Sequence, residues 1–395
     1  MLNLSLLTMR VSTKSRRRKI LWTRCVVLSL CCEFELHTEC AAQAAIRITS
    51  HYGFIVPHRE EIKNLIQGHS WGVNAEMPLK YRREKFWHRA WSYPQQSWTM
   101  TFLNTGNPKQ LGTHYSLLHQ LYLPLQKPSN EWKIKQHLAL GIGLGFASKV
   151  WNQAENYQAT VLSSHLNTAL SLQYGWQFNM RRGPAISCGF RMAHFSNGSL
   201  KTPNLGTNNF SFFVASELTH KNHLVATNSD SLMSNELSRF RLTGGYFFGL
   251  KEILPPGERK YFVNALQLGF DARMNAKSSF TCGLDIMRNS SLPILFQEKS
   301  GITNSISSLM QLGAMMGYVM HFNRFELRFQ QGFYCVDQYK EDGLLYQRVG
   351  LRFYVTERCW LSVMLKTHFA KADYGEYGIG YTLPWCKRIY TLSIK

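Results

Sequence analysis

Hydrophobic and polar residues alternate along most of this sequence in segments of about ten to fifteen residues. The first such segment is 47–54, RITSHYGF, and the last is 377–383, YGIGYTL. Successive side chains of a β-strand point to opposite faces, so this alternation predicts strands with one apolar face. Turn residues separate the segments, and almost none of them has the helical period. The pattern predicts an all-β, antiparallel fold of about 14–16 strands.

The length and ends of these segments indicate a membrane protein. The predicted strands are about twice as long as those of a soluble sandwich, which suits a tilted bilayer crossing. Aromatic pairs lie near several ends, as in 261–262, 333–334 and 353–354, and short turns alternate with longer loops. These features are typical of outer-membrane barrels. We therefore predict one transmembrane β-barrel over residues 45–395; a secreted β-sandwich, or two of them, is the alternative.

The first 44 residues follow a different pattern. Arg16–Lys19 form a basic cluster, Cys25–Cys32 form a short apolar stretch, and Ala42-Gln43-Ala44 is a small-x-small site. A basic segment, an apolar segment and such a cleavage site, in this order, make up a secretory signal peptide. We predict a signal peptide over residues 1–44, with a disordered basic tail as the alternative.

The charge balance indicates an anionic partner. The formal net charge is +21, from 45 Lys and Arg against 24 Asp and Glu. Such an excess favours nucleic acid or a phosphate-rich membrane surface. The predicted export signal and the strand pattern argue against nucleic acid. No metal-binding motif or acidic cluster is present, so we predict no metal and no cofactor.

The predicted strand at 185–197 ends in His194, Ser196 and Asn197, and a loop rich in Pro, Asn and Gly follows. One strand face carries the apolar residues together with His194 and Ser196, and the other carries Arg191. The apolar face of a membrane strand points to lipid, so Arg191 is expected inside the barrel. If the first strand rises outward from the periplasm, this seventh strand ends at the outer surface. His194 and Ser196 are then expected at the lipid-facing outer rim.

The spacing of His194 and Ser196 is compatible with acyl-transfer chemistry. Residues two apart on one strand face have Cβ atoms about 6–7 Å apart, so the imidazole can reach the hydroxyl and accept its proton. An oxyanion also needs hydrogen-bond donors, and the candidates are the side chains of Asn197 and Asn204 and the backbone amide of Gly198. Spacing alone favours another interpretation, a polar girdle at the membrane interface followed by a turn.

The segment 194–206, HFSNGSLKTPNLG, resembles the signature of the outer-membrane lipid A 3-O-deacylase family, His-x-Ser-Asn followed by Pro-Asn-x-Gly. The wider resemblance covers about residues 133–222. It implies a β-barrel esterase in the outer membrane of a Gram-negative bacterium that hydrolyses the ester-linked acyl chain at position 3 of lipid A. By position, it implies His194 as general base, Ser196 as nucleophile and Asn204 as a contributor to the oxyanion hole.

One position departs from the family pattern. Family members place a Glu twelve residues after the serine to orient the histidine, and this chain has Asn208 there. An amide oxygen can accept the imidazole N–H, but it cannot stabilise imidazolium as a carboxylate does. Glu217, farther along the same strand, is an alternative acid, although its side chain should point inward. His165, at the outer end of the preceding strand, is a candidate for supporting the site or a girdle histidine.

A function of another class fits the same barrel prediction. About 16 strands in one barrel could enclose a channel. The protein would then be a porin, or a structural or lipopolysaccharide-binding barrel that retains the motif without catalysis.

Overall fold

A computed structural model describes residues 46–79, 86–126, 134–178, 180, 184–218, 235–257, 259–300, 310–339, 342–369 and 371–390. The predicted signal peptide over residues 1–44 lies outside the described residues.

Sixteen antiparallel strands and three short helices make up most of the described chain. The strands are β1 (Arg47–Ile55), β2 (Ser70–Leu79), β3 (Gln95–Asn104), β4 (Thr113–Pro124), β5 (Ile134–Ala147), β6 (Leu166–Phe178), β7 (Ile186–Ser196), β8 (Thr207–Glu217), β9 (Asn235–Glu252), β10 (Lys260–Arg273), β11 (Ser278–Asn289), β12 (Met310–Phe322), β13 (Phe325–Val336), β14 (Leu345–Tyr354), β15 (Cys359–His368) and β16 (Lys371–Tyr390). The helices are α1 (Glu60–Lys63), α2 (Phe86–Ala90) and α3 (Leu292–Ser300). No helix among the described residues is long and apolar enough to cross a membrane.

The strands close into two barrels of eight. Within each barrel every strand pairs with the next in sequence, and the last strand returns to the first: β8 pairs with β1, and β16 pairs with β9. The predicted all-β barrel class and strand number are confirmed, but the expectation of one barrel over residues 45–395 is wrong. Alternation in the sequence identifies each strand and, from the turn that follows it, the strand with which it forms a hairpin. It carries no signal for the pairing of β1 with β8, so one barrel and two barrels look alike in sequence.

Both barrels have an apolar outer surface and a polar interior. Phe190 and Phe212 on the outside of the first barrel (β1–β8) are 45% and 46% exposed. Inside the second barrel (β9–β16), Arg328 pairs with Asp271 at 2.7 Å and Arg348 with Glu376 at 2.8 Å. This inside-out arrangement is that of transmembrane barrels. Side chains fill the interior of a barrel of this size.

An apolar cluster packs beneath the loops at one rim of the first barrel. We call this the outer rim, the end at which odd-numbered strands finish. Its members are Ile55, Ile62, Leu65, Leu103, Leu111, Leu118, Ala147, Val161, Leu162, Ala169, Ala193 and Phe195. Phe195 is 1% exposed, and burying a phenylalanine contributes about 1.5–3 kcal/mol. This burial fixes the end of β7 with its alternate side chains, at 194 and 196, on the opposite face.

Candidate active site

The end of β7 presents His194 and Ser196 on the outward face, as the alternation predicts. Arg191, on the opposite face, is 1% exposed inside the barrel, whereas Phe190 is on the outer surface. In the antiparallel register His194 lies directly opposite Asn208 on β8. Opposed residues on one face of an antiparallel pair are near enough for side-chain contact.

His194 and Asn208 are joined by a short hydrogen bond. The Nδ1–H of His194 donates to Oδ1 of Asn208, with a separation of 2.6 Å. Because Nδ1 carries the hydrogen in the neutral ring, Nε2 carries the lone pair and is able to accept a proton. Asn208 therefore makes the contact expected of a residue that orients a catalytic histidine.

Two N–H groups converge on the hydroxyl of Ser196, which is 6% exposed. The Asn204 Nδ2 donates to Ser196 Oγ at 2.8 Å, and the backbone N–H of Gly198 donates at 3.1 Å. The backbone N–H of Asn197 donates to Oδ1 of Asn204 at 3.1 Å and so turns the amide nitrogen of Asn204 toward the serine. Donors this close to the nucleophilic oxygen are within reach of the oxyanion, which forms one carbon atom away from that oxygen in acyl transfer.

The side chain of Asn197 does not join these donors. Its Nδ2 donates to Ser164 Oγ at 3.0 Å and to the carbonyl oxygen of Lys201 at 3.0 Å. The prediction that this side chain contributes to an oxyanion hole is therefore wrong. The side chain instead stabilises the loop after β7. The backbone N–H of Asn197 contributes to the site indirectly, because it orients the side chain of Asn204.

Gly206 lies against the imidazole of His194. Its φ is +77°, a left-handed conformation that favours glycine. A Cβ atom at this position would lie 2.8 Å from Cε1 of His194. The glycine of the Pro-Asn-x-Gly signature thus leaves room for the histidine ring.

Two other sequence candidates lie apart from these contacts. His165 Nδ1 bonds to the carbonyl oxygen of Ala147 at 2.7 Å, and its ring stacks on Phe146. Glu217 lies at the far end of β8, where it pairs with Arg47 at 3.2 Å. It is nine positions along the strand from Asn208, a span of about 30 Å. Glu217 therefore cannot replace the missing acid.

The sequence analysis missed His58, which lies in the loop after β1. Its Nδ1 is 3.1 Å from the Asn208 Nδ2, and its Nε2 is 3.0 Å from the carbonyl oxygen of Leu205. The pairing of Ile55 with Asn209 brings this loop to the site. Only the closure of β1 onto β8 could have indicated it.

Comparison with known proteins gives two family matches. The family model for lipid A 3-O-deacylase (PagL) matches residues 71–217, and that for the acyloxyacyl hydrolase C-terminal domain matches residues 240–385. The first match lies in the first barrel and is wider than the predicted core of about 133–222. The second lies in the second barrel. A comparison with curated proteins finds no match.

Among solved structures, the crystal structure of the outer membrane enzyme PagL is 18% identical over 43% of this chain and 97% of its own, with a TM-score of 0.31. A porin of Rhodopseudomonas blastica is 8% identical over 87% of this chain and 99% of its own, with a TM-score of 0.19. TM-scores this low carry no structural argument. The two family matches together span most of the sequence, and they confirm the predicted resemblance to the lipid A 3-O-deacylase family.

Proposed function

We propose that the protein is a serine esterase of the Gram-negative outer membrane that hydrolyses an ester-linked 3-hydroxyacyl chain of lipid A. One observation carries the proposal: Ser196 Oγ accepts two N–H groups and shares its strand face with an imidazole whose Nε2 is able to act as a base. The match of residues 71–217 to the lipid A 3-O-deacylase model supports lipid A deacylation as the reaction class.

The mechanism follows from these contacts. Nε2 of His194 takes the Ser196 proton while Oγ attacks the ester carbonyl carbon. The N–H groups of Gly198 and Asn204 donate to the oxyanion of the tetrahedral intermediate. The imidazolium then gives its proton to the sugar oxygen of the ester as the C–O bond breaks, and the sugar leaves with a free hydroxyl group. His194 next activates a water that attacks the acyl-enzyme, which releases the 3-hydroxy fatty acid and restores Ser196.

The position of the site suits a substrate embedded in lipid. The face that carries His194 and Ser196 continues down β7 into Met192 and Phe190, an apolar surface on which an acyl chain can lie. The full sequence has a net charge of +21, and +17 remains without residues 1–44, which hold seven Lys and Arg and three Glu. This excess suits a partner that carries phosphate groups. The apolar surface supports a position for the lipid A ester at the membrane-facing rim, and the charge supports an anionic substrate.

The test is mass spectrometry of lipid A from Gram-negative cells that express the protein. Wild type should remove one 3-hydroxyacyl group, and Ser196→Ala should lower the rate at least a thousandfold because the nucleophile is lost. Ser187→Ala is the matched control, since this serine lies on the same strand and is buried inside the barrel. Identical lipid A from wild type and Ser196→Ala would overturn the proposal.

The strand topology removes the main argument for the alternative function, a porin. It rested on a single barrel of about 16 strands, wide enough for a channel. The described strands instead form two barrels of eight, whose interiors hold buried side chains such as Arg191 and Arg328.

A further inference from the structure

The Asn208 amide must be held in one of two orientations. An amide has a carbonyl oxygen at one end and an NH₂ group at the other, nearly equal in size. Only the oxygen can accept the Nδ1–H of His194. If the amide were reversed, its NH₂ would face that nitrogen and favour the other tautomer, with the hydrogen on Nε2. The site would then lose its base, so whatever fixes the amide also fixes the active tautomer.

His58 contacts the end of the amide that His194 does not. Its Nδ1 is 3.1 Å from the Asn208 Nδ2. Its Nε2 is 3.0 Å from the carbonyl oxygen of Leu205, which can only accept, so Nε2 carries the hydrogen. Nδ1 of the neutral ring is then an acceptor for the amide NH₂. The carbonyl oxygen of Val56, at 3.2 Å from the same Nδ1, is a partner only for a ring protonated there.

The backbone holds His58 in this place. The N–H of Val56 donates to the carbonyl oxygen of Asn208 at 2.8 Å and so extends the β1–β8 ladder beyond the end of β1. The Leu205 carbonyl lies in the same loop as Gly206, which packs on the His194 ring. Hydrogen bonds therefore run from the Leu205 carbonyl through His58 and Asn208 to His194.

We propose that His58 is a positioning residue that orients the Asn208 amide and thereby keeps His194 in its active tautomer. The proposal rests on the esterase function proposed above and goes beyond it. A carboxylate has two equivalent oxygens and needs no such partner. The requirement for His58 is therefore specific to a chain with Asn at position 208, and replacing that Asn by Glu should remove it.

A double-mutant cycle tests this dependence. In the wild-type background, His58→Ala should lower kcat about tenfold with little change in KM, because bound substrate meets the wrong histidine tautomer more often. In the Asn208→Glu background, His58→Ala should change kcat less than twofold. His69→Ala is the matched control, since His69 follows in the same loop, is exposed and bonds to the carbonyl oxygen of Gly53.

An equal loss in both backgrounds would mean that His58 acts only on loop structure, and no loss in the wild-type background would mean that it has no role. Either result overturns the inference. Ser196→Ala in the same assay separates the two proposals: if it is as active as wild type, the esterase mechanism fails whatever His58 does.

Nitrogen-15 NMR of histidine-labelled full-length protein in detergent micelles gives a readout that needs no activity. Nδ1 of His58 should be unprotonated and Nδ1 of His194 protonated at neutral pH, and His58→Ala should convert His194 to a mixture of tautomers. A His194 tautomer unchanged by His58→Ala would overturn the inference even if no lipid substrate is found.

Discussion

Position 208 decides how His194 is held, because an amide accepts the imidazole hydrogen where the family pattern has a carboxylate. The 2.6 Å contact fixes the ring but supplies no negative charge to the imidazolium that forms in the proposed reaction. We expect this difference to lower the rate of the chemical step and to leave substrate binding unchanged.

We therefore expect Asn208→Glu to raise kcat at least tenfold, because a carboxylate stabilises the imidazolium by charge as well as by hydrogen bonding. The measurement is the rate of 3-hydroxy fatty acid release from lipopolysaccharide in detergent. Asn208→Ala is the paired variant and should lower kcat. A folded Asn208→Glu protein no faster than wild type would show that the missing charge does not limit the rate.

At the scale of elements, the site depends on the β7–β8 hairpin and its loop. The strand register sets His194 against Asn208, and the loop returns Asn204 to the serine and Gly206 to the histidine. Phe195 anchors the hairpin to the apolar cluster beneath the rim. The geometry of the proposed site therefore depends on one hairpin and on the residue that anchors it.

We expect Gly206→Ala, in the loop after β7, to lower kcat strongly. The added Cβ would lie 2.8 Å from Cε1 of His194, so the ring must shift, and kcat should fall about ten- to a hundredfold. Gly343→Ala is the matched control, because Gly343 has a similar φ of +81° and nothing within 4 Å of the added atom. Equal activities of the two variants, with both barrels folded by circular dichroism, would exclude this packing role.

These local relations are what the sequence could predict. Alternation located the strands and set the faces of Arg191, His194 and Ser196, and the resemblance pointed to Asn204 and Asn208. The contact of His58 with the site and the closure of the strands into two barrels were not predicted, because both depend on strand pairing between distant segments. The side chain of Asn197 was misassigned because its partners, Ser164 and Lys201, lie in loops whose approach leaves no periodic signal.

At the scale of the whole molecule, the second barrel contacts the loop that follows the serine. The N–H of Gly375 donates to the carbonyl oxygen of Gly198 at 3.2 Å, and Ser199 Oγ donates to the carbonyl oxygen of Ala372 at 3.1 Å. Gly198 supplies one of the two donors to Ser196. The second barrel thus helps to hold part of the proposed oxyanion hole.

Ser199→Ala tests this coupling. Losing one hydrogen bond of about 1 kcal/mol should loosen the loop and lower kcat about two- to fivefold. Ser290→Ala is the control, since the Ser290 hydroxyl also donates to a backbone carbonyl, that of Phe262, within the second barrel. If Ser199→Ala matches wild type in initial-rate measurements, the contact is structural only.

The number of strands in each barrel has a topological consequence. Eight is even, so a chain that enters a barrel at one rim leaves it at the same rim: β1 begins and β8 ends on the side opposite Ser196. The second barrel runs in the same sense as the first, because the N–H of Glu252, at the end of β9, donates to the carbonyl oxygen of Ser199, just beyond the end of β7. A first barrel with one strand more or fewer would end at the opposite rim. A second barrel that started from there would turn this rim away from the loop that follows Ser196.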